Sequence, residues 1–280
     1  MVPVITRFAP SPTGYMHLGH AFAALFAWTA ARESGGRFML RIEDIDPSRC
    51  RPEFETAIYR DLEWLGIDWD GPVRRQSDGM DDYGDAIREL EKIGLAYPCF
   101  CTRSDIRAEI KQAGHAPHGP DGIVYPGTCR GVTDVDRRLR IARGEGHAIR
   151  IDMAKAVSFT GPLVWYDRAK GFVDADPLSA GDVVLARKDV PTSYHLASVL
   201  DDHLQGVTLV TRGNDLFHAT HVHRALQALL HLRVPEYHHH ALITDANGIR
   251  LAKRNRAMTL RSLRQAGKSP AEVRAMVGFD

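Results

Sequence analysis

His17 and His20 lie three positions apart in RFAPSPTGYMHLGHAFAAL, where a strand-like run ends, a turn follows and a helix begins. In the first turn of a helix that spacing puts both imidazoles on one side. The free N–H groups and dipole of a helix start favour an anion at the same place. Two imidazole donors suit the oxygens of a nucleotide triphosphate, and Gly19 between them leaves room for a base or ribose against the backbone. HLGH alone is four common letters, so this reading depends on what else the chain supplies.

A second constellation is Cys99 and Cys101, a CxC pair, with Cys129 following 28 residues later. A chain of this size folds without disulfides, and clustered thiols in a reducing compartment point to a metal. Zinc takes four ligands from Cys, His and carboxylate, so these three sulfurs need a fourth partner. On chemistry alone His115 and His118 are the candidates, and the bland alternative is three unliganded thiols in a loop. Cys50, between Arg49 and Arg51, reads as a bystander. The run His238-His239-His240 alternates faces if it is a strand, which makes it a poor chelator and a structural feature.

The elements that must position these groups alternate along the chain. Residues 2–8 read as a strand, stopped by Pro10, Pro12 and Gly14. A buried, alanine-rich helix follows from about His17 to Glu33, ended by Ser34-Gly35-Gly36. RFMLRIEDID is a strand that ends in carboxylates. Pro52 opens a helix with Phe54, Ala57, Ile58, Leu62 and Leu65 on one stripe, closed by Gly66. Residues 81–94 give another helix. The segment from Tyr97 to Gly131, rich in proline and glycine, interrupts the rhythm as an insertion. GDVVLAR, a helix from about Thr192, QGVTLVTR and a helix from about Asn214 to His231 resume it. Short strands alternating with helices predict a parallel sheet, whose ligands bind beyond the carboxyl ends of the strands.

Composition narrows the function classes. The 280 residues are 44% hydrophobic and 25% charged, ordinary for a chain with a large core. No run approaches the roughly 20 apolar residues of a membrane span, and the N-terminus has no signal-peptide pattern. The expectation is a cytoplasmic monomer with no membrane partner. Lys and Arg number 36 against 35 Asp and Glu, so any nucleic-acid contact rests on local patches. Arg130, Arg137, Arg138, Arg140 and Arg143 form one, interleaved with Asp134, Asp136 and Glu145. Arg250, Lys253, Arg254, Arg256, Arg261 and Arg264 form the other. A solvated helix face is the plain alternative for each.

Read in order, RFAPSPTG with HLGH, RIEDID, LGIDWDGP followed by Gln76-Ser77, YPCFCT, SYHLASVLDD, VTRGND and GIRLAKR resemble the class I aminoacyl-tRNA synthetases of the glutamyl branch. The resemblance covers nearly the whole chain. It implies a Rossmann-type α/β fold and an ATP-dependent activation of L-glutamate. Arg7 and Arg212, at strand ends, then match arginines that grip the substrate carboxylate. Glu43 would take the ammonium, Ser11 and Tyr194 would add hydrogen bonds, and Phe8, Ala9 and Pro10 would complete the glutamate pocket. His17, Gly19, His20 and Lys253 match the ATP site, with Mg²⁺ on the nucleotide and the two histidines and the lysine in catalysis. The family implies an unusual fourth zinc ligand, Tyr125 in VYPGTCR. Ala252 stands where a serine is common, and Asn214 where an acidic residue is frequent; Arg254 would stand in partly for the lost hydroxyl.

The expected architecture is therefore a class I synthetase parallel sheet with an inserted zinc-binding subdomain and a short helical C-terminal region. Residues 1–96 make the first half of the catalytic domain and 97–180 the insertion, with its zinc loop at 97–130. Residues 181–240 make the second half, and 241–280 a mobile lysine loop and C-terminal helices. No anticodon-binding domain fits in 280 residues. The short chain and cysteine cluster resemble the paralogues of this branch that activate glutamate without tRNA and esterify it to queuosine in the anticodon of tRNA(Asp). The alternatives are a truncated enzyme charging the 3′ end of tRNA(Glu) and a non-catalytic RNA- or adenylate-binding module. Either way, the zinc loop is expected to sit away from the adenylation residues.

Overall fold

Two prolines and a glycine break the chain between β1 (Ile5–Phe8) and α1 (Leu18–Glu33), so the strand end and the helix start face one another across a short turn. The computed structural model describes residues 3–113, 118–119, 122–242 and 258–279. Six alanines and no proline suit α1 to a buried position, and its Ala21, Ala24, Leu25, Ala27 and Ala31 are buried. The chain continues through β2 (Arg37–Ile42), α2 (Pro52–Trp64), β3 (Arg74–Arg75), α3 (Met80–Lys92), β4 (Ala96–Cys99) and α4 (Arg103–Ala113). Pro52 at the first helical position, with Glu53 and Glu55 beside it, starts α2 as the helix dipole requires. Gly66, at φ 70°, ends it in a conformation that costs other residues strain.

Beyond these come β5 (His118–Gly119), β6 (Gly122–Ile123), α5 (Asp134–Ala142), β7 (Ala148–Ile151), α6 (Met153–Thr160), β8 (Val164–Asp167), β9 (Gly171–Asp174), β10 (Val184–Ala186), α7 (Tyr194–Leu204), β11 (Leu209–Gly213), α8 (Ala219–Leu229) and β12 (Glu236–His240). Two short helices, α9 (Leu260–Gln265) and α10 (Pro270–Met276), close the described chain. Strands β1, β2 and β3 pair in parallel, as do β11, β12 and β8, with β9 antiparallel at that sheet's edge. Thr208 N–H donates to the Ile5 carbonyl at 2.9 Å and sets β11 beside β1. The order therefore runs outward from β1 through β2 to β3 on one side, and from β11 through β12 to β8 on the other. A crevice at such a reversal is where open parallel sheets bind ligands.

Sheet membership departs from the division read off the sequence. β8 and β9, inside 97–180, extend the sheet of β11 and β12, whereas β10, inside 181–240, pairs with β7 and β4 in a separate antiparallel sheet. An apolar strand advertises burial, not which neighbour it pairs with. Among the described residues, no helix is long and apolar enough to cross a membrane.

Two cores brace the crevice. One packs α1, β2 and α2 with Leu260, Leu263 and Val273 of the C-terminal helices. The other joins α3, α7 and α8 with Ile151 and Leu185 of the antiparallel sheet. A smaller cluster of Tyr97, Cys99, Phe100, Tyr125 and Cys129 holds the insertion loop.

Candidate active site

A cavity of about 910 Å³ opens at the carboxyl ends of β1 and β11. Arg7, Phe8, Ala9, Pro10 and Ser11 line it from β1 and the turn, Glu43 from the end of β2, and Tyr194 and Arg212 from α7 and β11. These are the residues expected from the sequence to form the glutamate site, and the fold brings all of them to the lining of one cavity.

His20 lines the same cavity, while His17 caps α1 at 9% exposure. Gly19 N–H donates to His17 Nδ1 at 3.1 Å, and His17 N–H donates to His20 Nδ1 at 3.2 Å. A neutral imidazole that accepts at Nδ1 carries its proton on Nε2. The rings, with centroids 3.9 Å apart, therefore lie side by side with Nε2–H as the donor of each. Thr259 bridges to His17 and Leu260 N–H donates to the Met16 carbonyl, so the chain after residue 257 rejoins at the helix start. Lys253, Ala252, Arg254 and His115 lie outside the described residues, as does the side chain of His118.

The two arginines that line the cavity at the ends of β1 and β11 are held differently. Arg7 Nε donates to Asp202 Oδ1 at 2.9 Å and its Nη1 to the Thr211 carbonyl at 3.0 Å. Asp202 Oδ1 also accepts from Arg41 Nη1 at 2.8 Å, and Arg41 Nη2 reaches Glu43 at 3.4 Å. Burial drives the Glu43 carboxyl above its ordinary pKa, against the pull of Arg41 and Arg7. Burial would raise Asp202 too, but Arg7 and Arg41 hold it below the usual carboxylate range.

Arg212 is 5% exposed and, among the described residues, no carboxylate pairs with it. Its partners are neutral acceptors: His239 Nε2 at 3.1 Å, Tyr194 Oη at 3.1 Å, His223 Nδ1 at 3.3 Å and Thr220 Oγ1 at 2.5 Å. Burial, then the nearby guanidinium, lowers His239 to about 4 and His223 well below the ordinary imidazole value. Both rings are thus neutral around a buried cation. A desolvated cation without an anion is costly, and this one lines the cavity.

The three sulfurs of Cys99, Cys101 and Cys129 lie within 4.8 Å of one another. Tetrahedral zinc with Zn–S bonds of about 2.3 Å needs sulfurs about 3.8 Å apart, so the set fits a four-coordinate metal with one more ligand. Tyr125 Oη lies 3.4 Å from Cys99 Sγ and 3.5 Å from Cys101 Sγ, where that ligand would stand. It also accepts from Cys129 N–H at 2.8 Å. Burial raises the Tyr125 phenol far above its ordinary pKa and pushes Cys101 up to about 11. Burial would raise Cys129 too, but hydrogen bonds from Tyr125 and the Phe100 N–H lower it, so it is Cys101 and Tyr125 that a bound cation would have to ionise.

The cysteine loop, expected to sit apart, is not remote from the crevice. Tyr125 lines the cavity, its ring faced by the Arg150 guanidinium at 4.0 Å, and Arg103 and Arg150 of the insertion line it as well. The loop folds back because Asp182, beside β10, accepts from Tyr97 Oη at 2.5 Å and from Arg130 Nη2 at 2.7 Å. Reading the sequence missed this and also the supporting carboxylates Asp202 and Asp167; it offered Arg41 only as an ion-pair partner of Glu43 and His239 only as structural. Asp202 stood inside a recognised motif, VLDD, and that was its only signal.

Residues 3–278 match the family of class I tRNA synthetases (E and Q), catalytic domain. The chain is 52% identical to the glutamyl-Q tRNA(Asp) synthetase of Rhodobacter capsulatus over 99% of its length and 100% of that protein's. It is 46% identical to the protein of the same name from Nocardia farcinica, over 97% of this chain and 82% of that one. Against the glutamate–tRNA ligase of Aquifex aeolicus identity is 38%, and the match takes up only 55% of the longer protein. In three dimensions it resembles the glutamate tRNA ligase of Elizabethkingia meningosepticum, solved in complex with its amino acid. That match has a TM-score of 0.82 and 28% identity, and covers 98% of this chain but 60% of the solved one.

Proposed function

Because the chain belongs to the class I tRNA synthetases of the E and Q group, we propose that its cavity activates L-glutamate with ATP and passes the glutamyl group to queuosine in the anticodon of tRNA(Asp). The observation that carries the amino-acid half is Arg212, a buried guanidinium on the cavity wall whose partners among the described residues are neutral acceptors. A γ-carboxylate supplies the missing anion, Arg7 adds a second cation, and Glu43 takes the ammonium. Ser11 and Tyr194 add hydroxyls, with Phe8, Ala9 and Pro10 closing the wall.

In the first step the α-carboxylate of glutamate attacks the α-phosphorus of ATP. Pyrophosphate leaves and glutamyl-adenylate forms. Positioning and charge stabilisation do most of the work. The Nε2–H groups of His17 and His20 serve the phosphates from the start of α1, beside Gly19. Lys253 serves them from the segment between Leu242 and Thr259, whose described ends adjoin the site: Leu242 lies against Gly213, and Thr259 bridges to His17. Mg²⁺ bound with the nucleotide would supply further charge stabilisation at the pyrophosphate. In the second step a hydroxyl of queuosine takes the glutamyl group and releases AMP.

Cys99, Cys101, Tyr125 and Cys129 would hold one zinc ion. A closed four-ligand site of this kind supplies shape rather than chemistry. The choice of tRNA(Asp) over the acceptor end of tRNA(Glu) rests on likeness to relatives named for glutamyl-Q, one of which this chain matches from end to end. The test of activation is ATP–pyrophosphate exchange with protein, Mg²⁺, ATP and glutamate and no tRNA. Glutamate-dependent exchange is expected, and silence until tRNA is added would refute tRNA-independent activation.

A further inference from the structure

Behind Arg212 stands a buried chain of hydrogen bonds that ends on a carboxylate. Asp167, at the end of β8 and fully buried, lies 2.7 Å through Oδ2 from Nδ1 of His239 on β12. His239 Nε2 faces two groups at once, Arg212 Nε at 3.1 Å and Thr220 Oγ1 at 3.2 Å. Thr220 Oγ1 accepts from Arg212 Nη2, which turns its own hydroxyl proton toward His239. A guanidinium N–H can only donate. His239 must therefore accept at Nε2 and donate from Nδ1, and Asp167 is the acceptor that fixes this tautomer.

We propose that Asp167 and His239 are positioning residues for glutamate recognition, holding Arg212 in its substrate-gripping orientation through the Nδ1–H tautomer of His239. The inference rests on the reading that Arg212 contacts the substrate carboxylate. Asp167 itself is anchored from the far side, because Ala169 and Lys170 N–H donate to Oδ1 at 2.9 and 3.1 Å. An asparagine at 167 would keep its oxygen on those two N–H groups and turn its NH₂ toward His239. The imidazole would then accept at Nδ1 and carry its proton on Nε2, pointing donor at donor toward Arg212 and Thr220. Volume and burial would be unchanged; the polarity of the chain reverses, and the His239 backbone N–H, which donates to Oδ2 at 3.2 Å, loses its acceptor.

The decisive variant is Asp167→Asn. Imidazole ¹⁵N shifts, assigned with His239→Gln, should show His239 as the Nδ1–H tautomer in the native protein and as Nε2–H in the variant. In pyrophosphate exchange its glutamate KM should rise about tenfold or more while the ATP KM stays within about twofold. If Asp167→Asn does not fold, the single variants decide: His239→Gln near native and His239→Leu impaired support the proposal, and equal impairment of both overturns it. An unchanged tautomer, an unchanged glutamate KM, or equal rises in both KM values for Asp167→Asn also overturn it. Arg212→Ala separates the two claims. If it leaves the glutamate KM unaltered, the assignment of Arg212 itself fails; if it raises that KM and Asp167→Asn does not, only the positioning role fails.

Discussion

Asp202 Oδ1 accepts from Arg7 Nε at 2.9 Å in a pair almost closed to solvent, and Arg41 shares the same oxygen. One carboxylate thus orients both Arg7, on the cavity lining, and the arginine that reaches Glu43. Removing one member of a buried ion cluster leaves the others uncompensated. Asp202→Asn should therefore lower unfolding free energy by about 3–5 kcal/mol, read from urea denaturation at neutral pH.

The same residue fixes a pH dependence. Its folded pKa lies below the ordinary carboxylate range, so the native state binds that proton less readily than the unfolded chain. The stabilisation is present above the unfolded value of about 3.9 and is lost as pH falls through the depressed folded value. The gap in urea midpoint between native protein and Asp202→Asn should narrow as pH is taken from 6 to about 3. A gap that stays constant would show that Asp202 contributes no proton linkage.

Glutamine is the sharpest probe of the carboxylate wall. Its amide has the shape of the glutamate side-chain carboxylate and no charge, which leaves the Arg212 guanidinium buried without an anion. Discrimination against glutamine on the order of 10³-fold in kcat/KM is expected. Comparable use of the two amino acids in pyrophosphate exchange would remove the assignment of Arg7 and Arg212.

The fold's outline was legible because proline and glycine punctuate it. Pro10, Pro12 and Gly14 mark the turn before α1, and Pro52 and Gly66 bracket α2 to within a residue. Arg7, Glu43 and Arg212 were legible as charged residues at strand ends, where a parallel sheet presents ligands. What holds them was not. Arg7 meets Asp202 across 195 positions and His239 meets Asp167 across 72, and no local pattern encodes such pairings. The triple histidine run shows the limit well. Alternation along β12 was readable, but which face His239 would take depended on β8 and β11 beside it. For the same reason the cysteine loop looked separate in sequence, although Asp182 draws it against the cavity.

Metal removal should act through that contact. Elemental analysis is expected to give about one zinc per chain, and Cys101→Ser should lose it. Chelation or Cys101→Ser should lower Tm by several degrees, as loss of a closed structural site does in a domain of this size. Because Tyr125 and Arg150 line the cavity, transfer to tRNA should fall further than pyrophosphate exchange. A metal-free native protein would defeat the site, and Tyr125→Phe that keeps its zinc would move the fourth ligand to His115 or His118.

The most direct test compares two preparations of tRNA(Asp) that differ only in whether the anticodon carries queuosine. With protein, ATP, Mg²⁺ and radiolabelled glutamate, label should enter the queuosine-containing tRNA and stay out of the other. It should also stay out of tRNA(Glu). Label at the 3′ end of tRNA(Glu), or equal labelling of tRNA(Asp) with and without queuosine, would contradict the account.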